Sequence, residues 1–388
     1  RNAILAKVLF GSNIKNIPDD AFYGCSNLSS VDLSNVESIG NGAFASTKLE
    51  NVEIPAQLSY LGTSVFSDCT SLTRVSIKAN ITSIPNGCFQ GCSSLSSVEY
   101  PASVAVIGES AFSGCGFTSF KLNGNVTEIQ REAFSSCKNL ENMEWGNVSL
   151  IGFNAFEDCG FKELSLPASL CDIYMNAFAY CKNLVKVDLS KTNVKEIGCF
   201  ANCYALEEVR FPQNLTGIGY ECFKGCSSIV TLNLPSSLLT LSGKDFLGMS
   251  SLTEIDLSNT KIKGISDACF KDCSSLQKVV FPKSLESINN SAFENATALK
   301  QVDLSNTTVH NISTSSFAGC RSLEQVSLAE NTDTIGNLAF FGCSYLVVVR
   351  NTNHVKIVFD GAFEGTKLFD AVQNGPVMIG SVLYQYKG

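Results

Sequence analysis

The chain has 388 residues, of which 45% are hydrophobic and only 16% charged, and its formal net charge is −8. This apolar content predicts a folded chain rather than a disordered one. The acidic balance, without any lysine- or arginine-rich run, argues against nucleic acid as a partner, and no apolar run is long enough to cross a bilayer.

The first residue is Arg1 rather than an initiator methionine, and the stretch from Leu5 to Phe10 already has the pattern of a repeat strand. We therefore expect a processed chain or a trimmed piece, in which an export signal or an anchor is not visible.

A phenylalanine recurs along the chain at intervals of 22 to 24 residues. Apolar residues recur eight and five positions before it, and a small residue directly precedes it. Cysteine is usual three positions after it, and apolar residues recur six, nine and eleven positions after it. A fixed period in this range indicates a solenoid built from stacked repeats. The sixteen positions are Phe22, Phe44, Phe66, Phe89, Phe112, Phe134, Phe156, Phe178, Phe200, Phe223, Phe246, Phe270, Phe293, Phe317, Phe340 and Phe363.

Each repeat predicts two elements in chain order. The segment A-F-x-x-C-x-x-L has helical spacing over about two turns, which predicts a short helix or a 3₁₀ turn on the back. The end of the repeat alternates with period two, as in Val31-Asp-Leu33 and Val52-Glu-Ile54, which predicts a short strand. Stacked repeats would place these strands in one long parallel sheet, whose outward face is the natural binding surface.

Departures from the pattern fall in the turns, as a solenoid requires. Asp245 replaces the small residue before its phenylalanine. The tail Met378–Tyr386 alternates like a strand, and we expect it to cover the last repeat, because an uncapped edge invites pairing with another chain. One residue is missing before the strand in four segments: Thr47-Lys-Leu49, Cys115-Gly-Phe117, Cys159-Gly-Phe161 and Thr366-Lys-Leu368.

The repeat I-x-x-x-A-F-x-x-C-x-x-L-x-x-V-x-L-P resembles the BspA-like, treponemal-type leucine-rich-repeat family. The resemblance implies an α/β solenoid: a curved, right-handed superhelix with one long parallel β-sheet on the concave face and short helices or 3₁₀ turns on the back. We expect a single domain over residues 1–388, with repeats over about 5–372 and a capping strand over about 373–388. Typical consensus positions are Ile39, Ala43, Phe44, Cys69, Leu72, Val75 and Pro101.

The same resemblance implies a secreted or cell-surface protein of anaerobic bacteria of the gut or mouth, or of certain protozoan parasites. Members of the family are associated with adhesion to host matrix proteins and with co-aggregation, and the family offers no catalytic residues. The leading hypothesis is therefore a monomeric, non-enzymatic protein that binds a host or microbial macromolecule, such as a matrix protein, without a cofactor. The alternative is a structural spacer that presents another domain and binds no ligand of its own.

Twelve of the 17 cysteines occupy the position three residues after the phenylalanine. Stacked neighbours have parallel Cβ vectors, which do not suit disulfides, so we interpret these thiols as buried apolar fillers. A zinc site built from Cys199, Cys203, Cys222 and Cys226 is an alternative, although their sulfurs would lie in rows rather than converge as a tetrahedron. Catalysis by a thiol would require an exposed cysteine with a depressed pKa.

The outward-pointing strand residues form a row of fourteen, with seven acidic and two basic members. One hypothesis is an acidic track for a basic partner or for weakly held calcium; the alternative is a solvated face kept polar for solubility. We place the sole tryptophan, Trp145, at an inward position, and His310 and His354 complete no catalytic or metal-binding set. The predicted binding row is Asp32, Glu53, Glu99, Glu144, Asp188, Asp256 and Asp303.

Overall fold

The computed structural model describes residues 5–387, in which the short strands of successive repeats pair in parallel. Its internal contacts group the chain into two units. The first unit runs to Leu184 and includes Lys191–Asn193; the second comprises Val185–Ser190 and the chain from Val194 onward. The predicted single domain, the curvature and the handedness stay predictions.

A typical repeat contributes two strands rather than one, and these strands fall into several separate parallel sheets. The prediction of one long parallel sheet is therefore wrong. A three- or four-residue strand lies where the alternating pattern predicted it, and a two-residue strand ends at the apolar residue five positions before most of the phenylalanines. The two sets form separate ladders, called here the long-strand ladder and the short-strand ladder.

The long strands of the first unit are β1 (Lys7–Leu9), β3 (Ser30–Asp32), β5 (Asn51–Ile54), β7 (Arg74–Ile77), β9 (Ser97–Glu99), β11 (Ser119–Lys121), β13 (Asn142–Glu144) and β15 (Glu163–Ser165). Its short strands are β2 (Asn16–Ile17), β4 (Ser38–Ile39), β6 (Tyr60–Leu61), β8 (Ser83–Ile84), β10 (Val106–Ile107), β12 (Glu128–Ile129), β14 (Leu150–Ile151) and β16 (Asp172–Ile173).

The long strands of the second unit are β17 (Lys186–Asp188), β19 (Glu208–Arg210), β22 (Glu254–Asp256), β24 (Lys278–Val280), β26 (Gln301–Asp303), β28 (Gln325–Ser327) and β30 (Val348–Arg350). Its short strands are β18 (Glu196–Ile197), β20 (Gly217–Ile218), β21 (Thr240–Leu241), β23 (Gly264–Ile265), β25 (Ser287–Ile288), β27 (Asn311–Ile312), β29 (Thr334–Ile335) and β31 (Ile357–Val358).

The long-strand ladder of the first unit is interrupted between β3 and β5, between β9 and β11, and between β13 and β15. Each interruption follows a repeat that lacks one residue before its strand: Thr47-Lys-Leu49, Cys115-Gly-Phe117 and Cys159-Gly-Phe161, respectively. The strand after each shortened turn does not pair with the long strand before it. The omissions read in the sequence therefore become breaks in the ladder.

The core of each unit is a stack of the repeat phenylalanines. Neighbouring rings lie 5.2–5.7 Å apart from Phe22 to Phe178, and 5.0–6.1 Å apart from Phe200 to Phe363. All except Phe22, which starts the row, are fully buried. Offset stacking of this kind adds to the free energy gained by burying each ring.

The ladder cysteines complete this core as hydrogen-bond donors as well as fillers. The thiol of Cys92 donates to the Phe66 carbonyl at 3.0 Å, and that of Cys137 donates to the Phe112 carbonyl at 3.1 Å. The same pattern, from a cysteine to the phenylalanine one repeat earlier, recurs in the second unit for Cys273. Burial agrees with the prediction, while the donor role explains why cysteine rather than alanine suits the position.

Short helices on the back are not supported, and this part of the predicted fold class is wrong. The described residues contain only a 3₁₀ turn, Thr352–His354, and one α-helical turn, α1 (Lys367–Asp370). The residues two before and two after most of the phenylalanines have left-handed backbone, for example Glu132 and Ser136 with φ of 55° and 60°. Left-handed residues interrupt a right-handed helix. The backbone N–H groups of this segment therefore bond to the next repeat instead, as Phe134 N does to the Ala155 carbonyl at 2.8 Å and Ser136 N to the Glu157 carbonyl at 2.7 Å.

The tail forms an antiparallel hairpin of β32 (Gly375–Ile379) and β33 (Val382–Lys387). The ring of Tyr384 packs edge-on against Phe363 with a centroid distance of 5.8 Å, and its hydroxyl accepts a hydrogen bond from the Phe363 N–H at 3.4 Å. The hairpin therefore contacts the last phenylalanine of the row.

Candidate functional site

The candidate site is the outward face of the long strands, and the structure separates the predicted acidic residues along it. In the first unit Glu53 and Glu99 lie on either side of Ser76, and Glu144 pairs in register with Lys121. In the second unit Asp188 is in register with Arg210, Asp256 with Val280 and Asp303 with Ser327. In these paired registers, each predicted acid faces a neutral or basic residue rather than another acid.

The three glutamates of the row form ion pairs with neighbouring cations. Glu53 pairs with Lys78 at 2.6 Å, Glu99 with Arg74 at 2.6 Å and Glu144 with Lys121 at 2.7 Å. These side chains are largely exposed, so each pair contributes little to stability. Their effect on the face is to neutralise much of the charge that the sequence suggested.

The four aspartates of the row cap the turn that follows their strand. Each belongs to an Asp-Leu-Ser triplet, and the serine N–H donates to the Asp Oδ1, an arrangement typical of Asx turns. Hydrogen bonds from the Ser34 N–H and hydroxyl hold the pKa of Asp32 below the ordinary value, and those from the Ser258 hydroxyl and N–H do the same for the pKa of Asp256. The N···O distances are 2.9 Å for Asp32, 2.9 Å for Asp188, 2.8 Å for Asp256 and 3.0 Å for Asp303.

Clefts open on the long-strand face in both units. In the first unit, one of about 470 Å³ spans the break between β3 and β5, and another of about 370 Å³ lies at the break between β13 and β15. In the second unit, one of about 640 Å³ lies around Arg210, Phe211 and Asn233, and one of about 180 Å³ around Asn233 and Asp256. Two interruptions of the first unit's ladder thus open into concave surface, the form that binding sites prefer.

A buried carboxyl lies in the core of the second unit at Asp245. Its Oδ2 accepts a hydrogen bond from the Gly243 N–H at 3.0 Å and one from the Ser266 hydroxyl at 3.4 Å, whereas Oδ1 has no hydrogen-bond partner among the described residues. Burial raises the pKa of Asp245 to about 7. The group is remote from solvent, so it does not belong to the strand face.

The model of the BspA type leucine rich repeat region matches residues 1–117, 105–198, 194–308 and 263–378. The chain belongs to the BspA-type leucine-rich-repeat family. No curated protein matches the chain significantly.

Two solved structures are similar to this BspA-type chain, and the first of them supports its fold. A leucine-rich repeat protein from Bacteroides ovatus is 24% identical, with 91% of this chain and 92% of that one covered and a TM-score of 0.65. A leucine rich cell surface protein from Faecalibacterium prausnitzii is 26% identical, with 71% and 79% covered and a TM-score of 0.49. The likeness to the Bacteroides ovatus protein shows the shared solenoid fold and nothing further.

The ladder thiols of this BspA-type chain lie in the core rather than on the strand face. All 17 cysteines fall within the described residues and none forms a disulfide; sixteen are buried, and Cys171 is exposed. Burial raises the pKa of Cys137, Cys181 and Cys226 to about 12, which is opposite to the shift of a nucleophilic thiol.

The other residues singled out in the sequence do not come together as a metal-binding group among residues 5–387. Within residues 5–387, no three His, Cys, Asp or Glu side chains are arranged to hold a metal ion. His310 and His354 are exposed. Trp145 is buried as predicted, and it also lines the cleft beside β13 and β15. None of the helices in the part of the chain that is described has the length and apolar character needed to span a bilayer.

Sequence reasoning missed the clefts, although their signal was present. The omitted residue before β5 and before β15 is visible in the sequence as a shortened turn, but the strand pairing that it interrupts depends on how the repeats stack. The Asp-Leu-Ser triplet likewise identifies a turn cap, and it separates the four aspartates of the predicted row from the three glutamates.

Proposed function

We propose that this BspA-type chain is a non-enzymatic, secreted or cell-surface protein that binds a protein partner through the long-strand face, acting as a monomer. The observation that carries the proposal is the pair of clefts at the breaks in the first unit's ladder, since these give an otherwise flat polar sheet two places to hold a side chain. The location is supported by the family resemblance.

Only the three glutamates of the predicted acidic row are proposed to contact the partner. Glu53, Glu99 and Glu144 lie beside the clefts and remain available as polar contacts, because exposed ion pairs exchange partners at little free-energy cost. The aspartates are proposed to act through the turns they cap. Adhesion to a host matrix protein remains the specific form of the hypothesis.

Binding to a panel of immobilised matrix proteins tests the proposal. One variant carries Glu53→Lys, Glu99→Lys and Glu144→Lys on the long-strand face. A matched control carries Glu37→Lys, Glu109→Lys and Asp172→Lys at exposed positions away from that face, with the same change in net charge. We expect the first variant to lose binding and the control to retain it. Equal binding by both, or equal loss, would remove the long-strand face as the site.

A structural spacer is the second candidate, and the ion pairs of Glu53, Glu99 and Glu144 favour it. A face whose charges are satisfied within the chain is what a solvated, ligand-free surface needs. The absence of binding by the wild-type protein across the whole panel would support the spacer.

A further inference from the structure

The cleft between β13 and β15 has a floor of three aromatic rings, whereas each of the other clefts described above is lined by one aromatic ring at most. Phe120, Trp145 and Phe161 line it, and each is at most 8% exposed, so the floor is held firmly by the core. The Trp145 ring packs edge-on against Phe156 at 5.2 Å and lies 6.3 Å from Phe161. The face of an indole attracts a cation more strongly than that of any other side chain.

The rim of this cleft carries an excess of negative charge. Glu141, Glu144 and Glu163 line it against one cation, Lys121, which is paired with Glu144 at 2.7 Å. Lys162, beside the cleft, pairs with Glu141 at 3.1 Å. The exposed Glu163 carboxylate forms no ion pair with the described residues of its own unit. An unpaired carboxylate therefore stands at the edge of an aromatic floor.

The cleft at the break between β3 and β5 provides an internal contrast. Its two carboxylates, Glu53 and Glu99, are each paired at 2.6 Å, with Lys78 and Arg74 respectively. Its apolar lining consists of Val31 and Val52, without an aromatic ring. The same kind of break therefore produces one neutral aliphatic cleft and one acidic aromatic cleft.

We propose that the cleft between β13 and β15 is a specificity pocket for an arginine side chain of the protein partner. A guanidinium stacks on an aromatic face and forms two parallel hydrogen bonds to one carboxylate, so it matches both the Trp145 floor and the Glu163 rim. The volume of about 370 Å³ leaves room for the side chain together with neighbouring backbone. This inference rests on the proposed function and names the partner's chemistry at one site.

The protein contains a single tryptophan, so tryptophan fluorescence, excited selectively over the 10 tyrosines, reports on this cleft. The full chain is titrated with three capped tripeptides, N-acetyl-Gly-X-Gly-amide, in which X is arginine, lysine or citrulline. We expect a saturable change with the arginine peptide, a weaker one with lysine, and none with citrulline, which has the same shape without the charge. No saturation with arginine, or equal responses to arginine and citrulline, would overturn the proposal.

Two variants locate the binding. Glu163→Gln removes the unpaired charge and is expected to weaken binding of the arginine peptide about tenfold, the loss of one charge-assisted hydrogen bond. Glu109→Gln makes the same change at an exposed position away from the long-strand face and should leave the titration unaltered. Circular dichroism checks that both variants fold as wild type. If Glu163→Gln and wild type bind the arginine peptide with equal affinity, Glu163 does not contact the guanidinium and the proposed arginine pocket is wrong.

The peptide titration tests the arginine pocket, and the matrix-protein panel tests the proposed function, so a negative result in one can be told from a negative result in the other. A positive peptide titration with a negative panel removes the proposed function but keeps the arginine pocket. A panel partner that binds while the arginine peptide does not removes only the pocket.

Discussion

The two strand ladders of the first unit follow the same repeats but differ in continuity. The short-strand ladder has five consecutive paired strands, from β8 to β16, and one interruption, between β6 and β8. The long-strand ladder is interrupted three times, and two of these interruptions open into clefts. The phenylalanine stack beside them continues without a gap.

The difference follows from what lies between each strand and the phenylalanine. The short strand ends five residues before the ring, and that spacing is kept throughout this unit, so the stack fixes its position. The long strand follows the ring after a turn, and a turn tolerates the loss of a residue. In each repeat of this unit, the segment from the short strand to the phenylalanine has a constant length and builds the core. The turn between the phenylalanine and the long strand varies in length and shapes the surface.

The largest effect that tests this division is expected from Phe134→Ala. The ring is fully buried between Phe112 and Phe156, so its removal should lower the free energy of unfolding by about 3–5 kcal/mol. Because each repeat contacts mainly its neighbours, the loss should be local. Urea denaturation with hydrogen exchange measures both quantities.

The matched surface change is Glu144→Gln, which breaks the exposed pair with Lys121. We expect it to alter stability by less than about 1 kcal/mol. Similar effects for Phe134→Ala and Glu144→Gln would mean that the phenylalanine row is not what holds the repeats together.

An effect smaller than that of Phe134→Ala is expected where the core itself departs from the repeat, at Asp245. Its folded-state pKa of about 7 lies above the ordinary 3.8, so the stability contributed by the protonated form is fully present below pH 3.8 and is lost as pH rises through 7. Asp245→Ala restores the usual small residue. It should be about 1–3 kcal/mol more stable than wild type at pH 8.5, because it removes a buried carboxyl with an unpaired oxygen.

The pH comparison distinguishes charge from packing at this position. The advantage of Asp245→Ala should shrink or reverse at pH 4.5, where the wild-type carboxyl is protonated and its hydrogen bond from Gly243 is retained. Thermal unfolding of both proteins at the two pH values measures this. An advantage that does not change with pH would assign the effect to cavity or strain rather than to ionisation.

The parts of the fold that repeat could be predicted from the sequence, and the parts that depend on neighbours could not. The period of Phe22 to Phe363 predicted the solenoid, and the alternation in Val52-Glu-Ile54 predicted β5. The helical spacing of A-F-x-x-C misled, because the left-handed backbone at residues such as Glu132 is selected by hydrogen bonds to the next repeat rather than by local preference.

The candidate site shows the same limit. The outward positions of Glu53 and Glu144 followed from the strand period. Their partners come from neighbouring repeats, since Lys78 directly follows β7 and Lys121 ends β11, so the ion pairs depend on register. The cleft lined by Trp145 lies at a break in strand pairing that is seen only in the stacked structure. Charge counted along one row therefore overstated the acidity of the face.

The smallest perturbation tests the core against the surface at the level of single thiols. N-ethylmaleimide on the native protein should add one label, at the exposed Cys171, and none to Cys171→Ser. The ladder thiols should resist because they are buried and donate to phenylalanine carbonyls, as Cys137 does to Phe112, and because burial raises the pKa of Cys137 to about 12. Mass spectrometry counts the labels, and unfolding in urea should raise the count to 17. A label on a ladder cysteine of the folded protein would show that a repeat opens or that its thiol is activated, and it would return thiol chemistry to the list of functions for this chain.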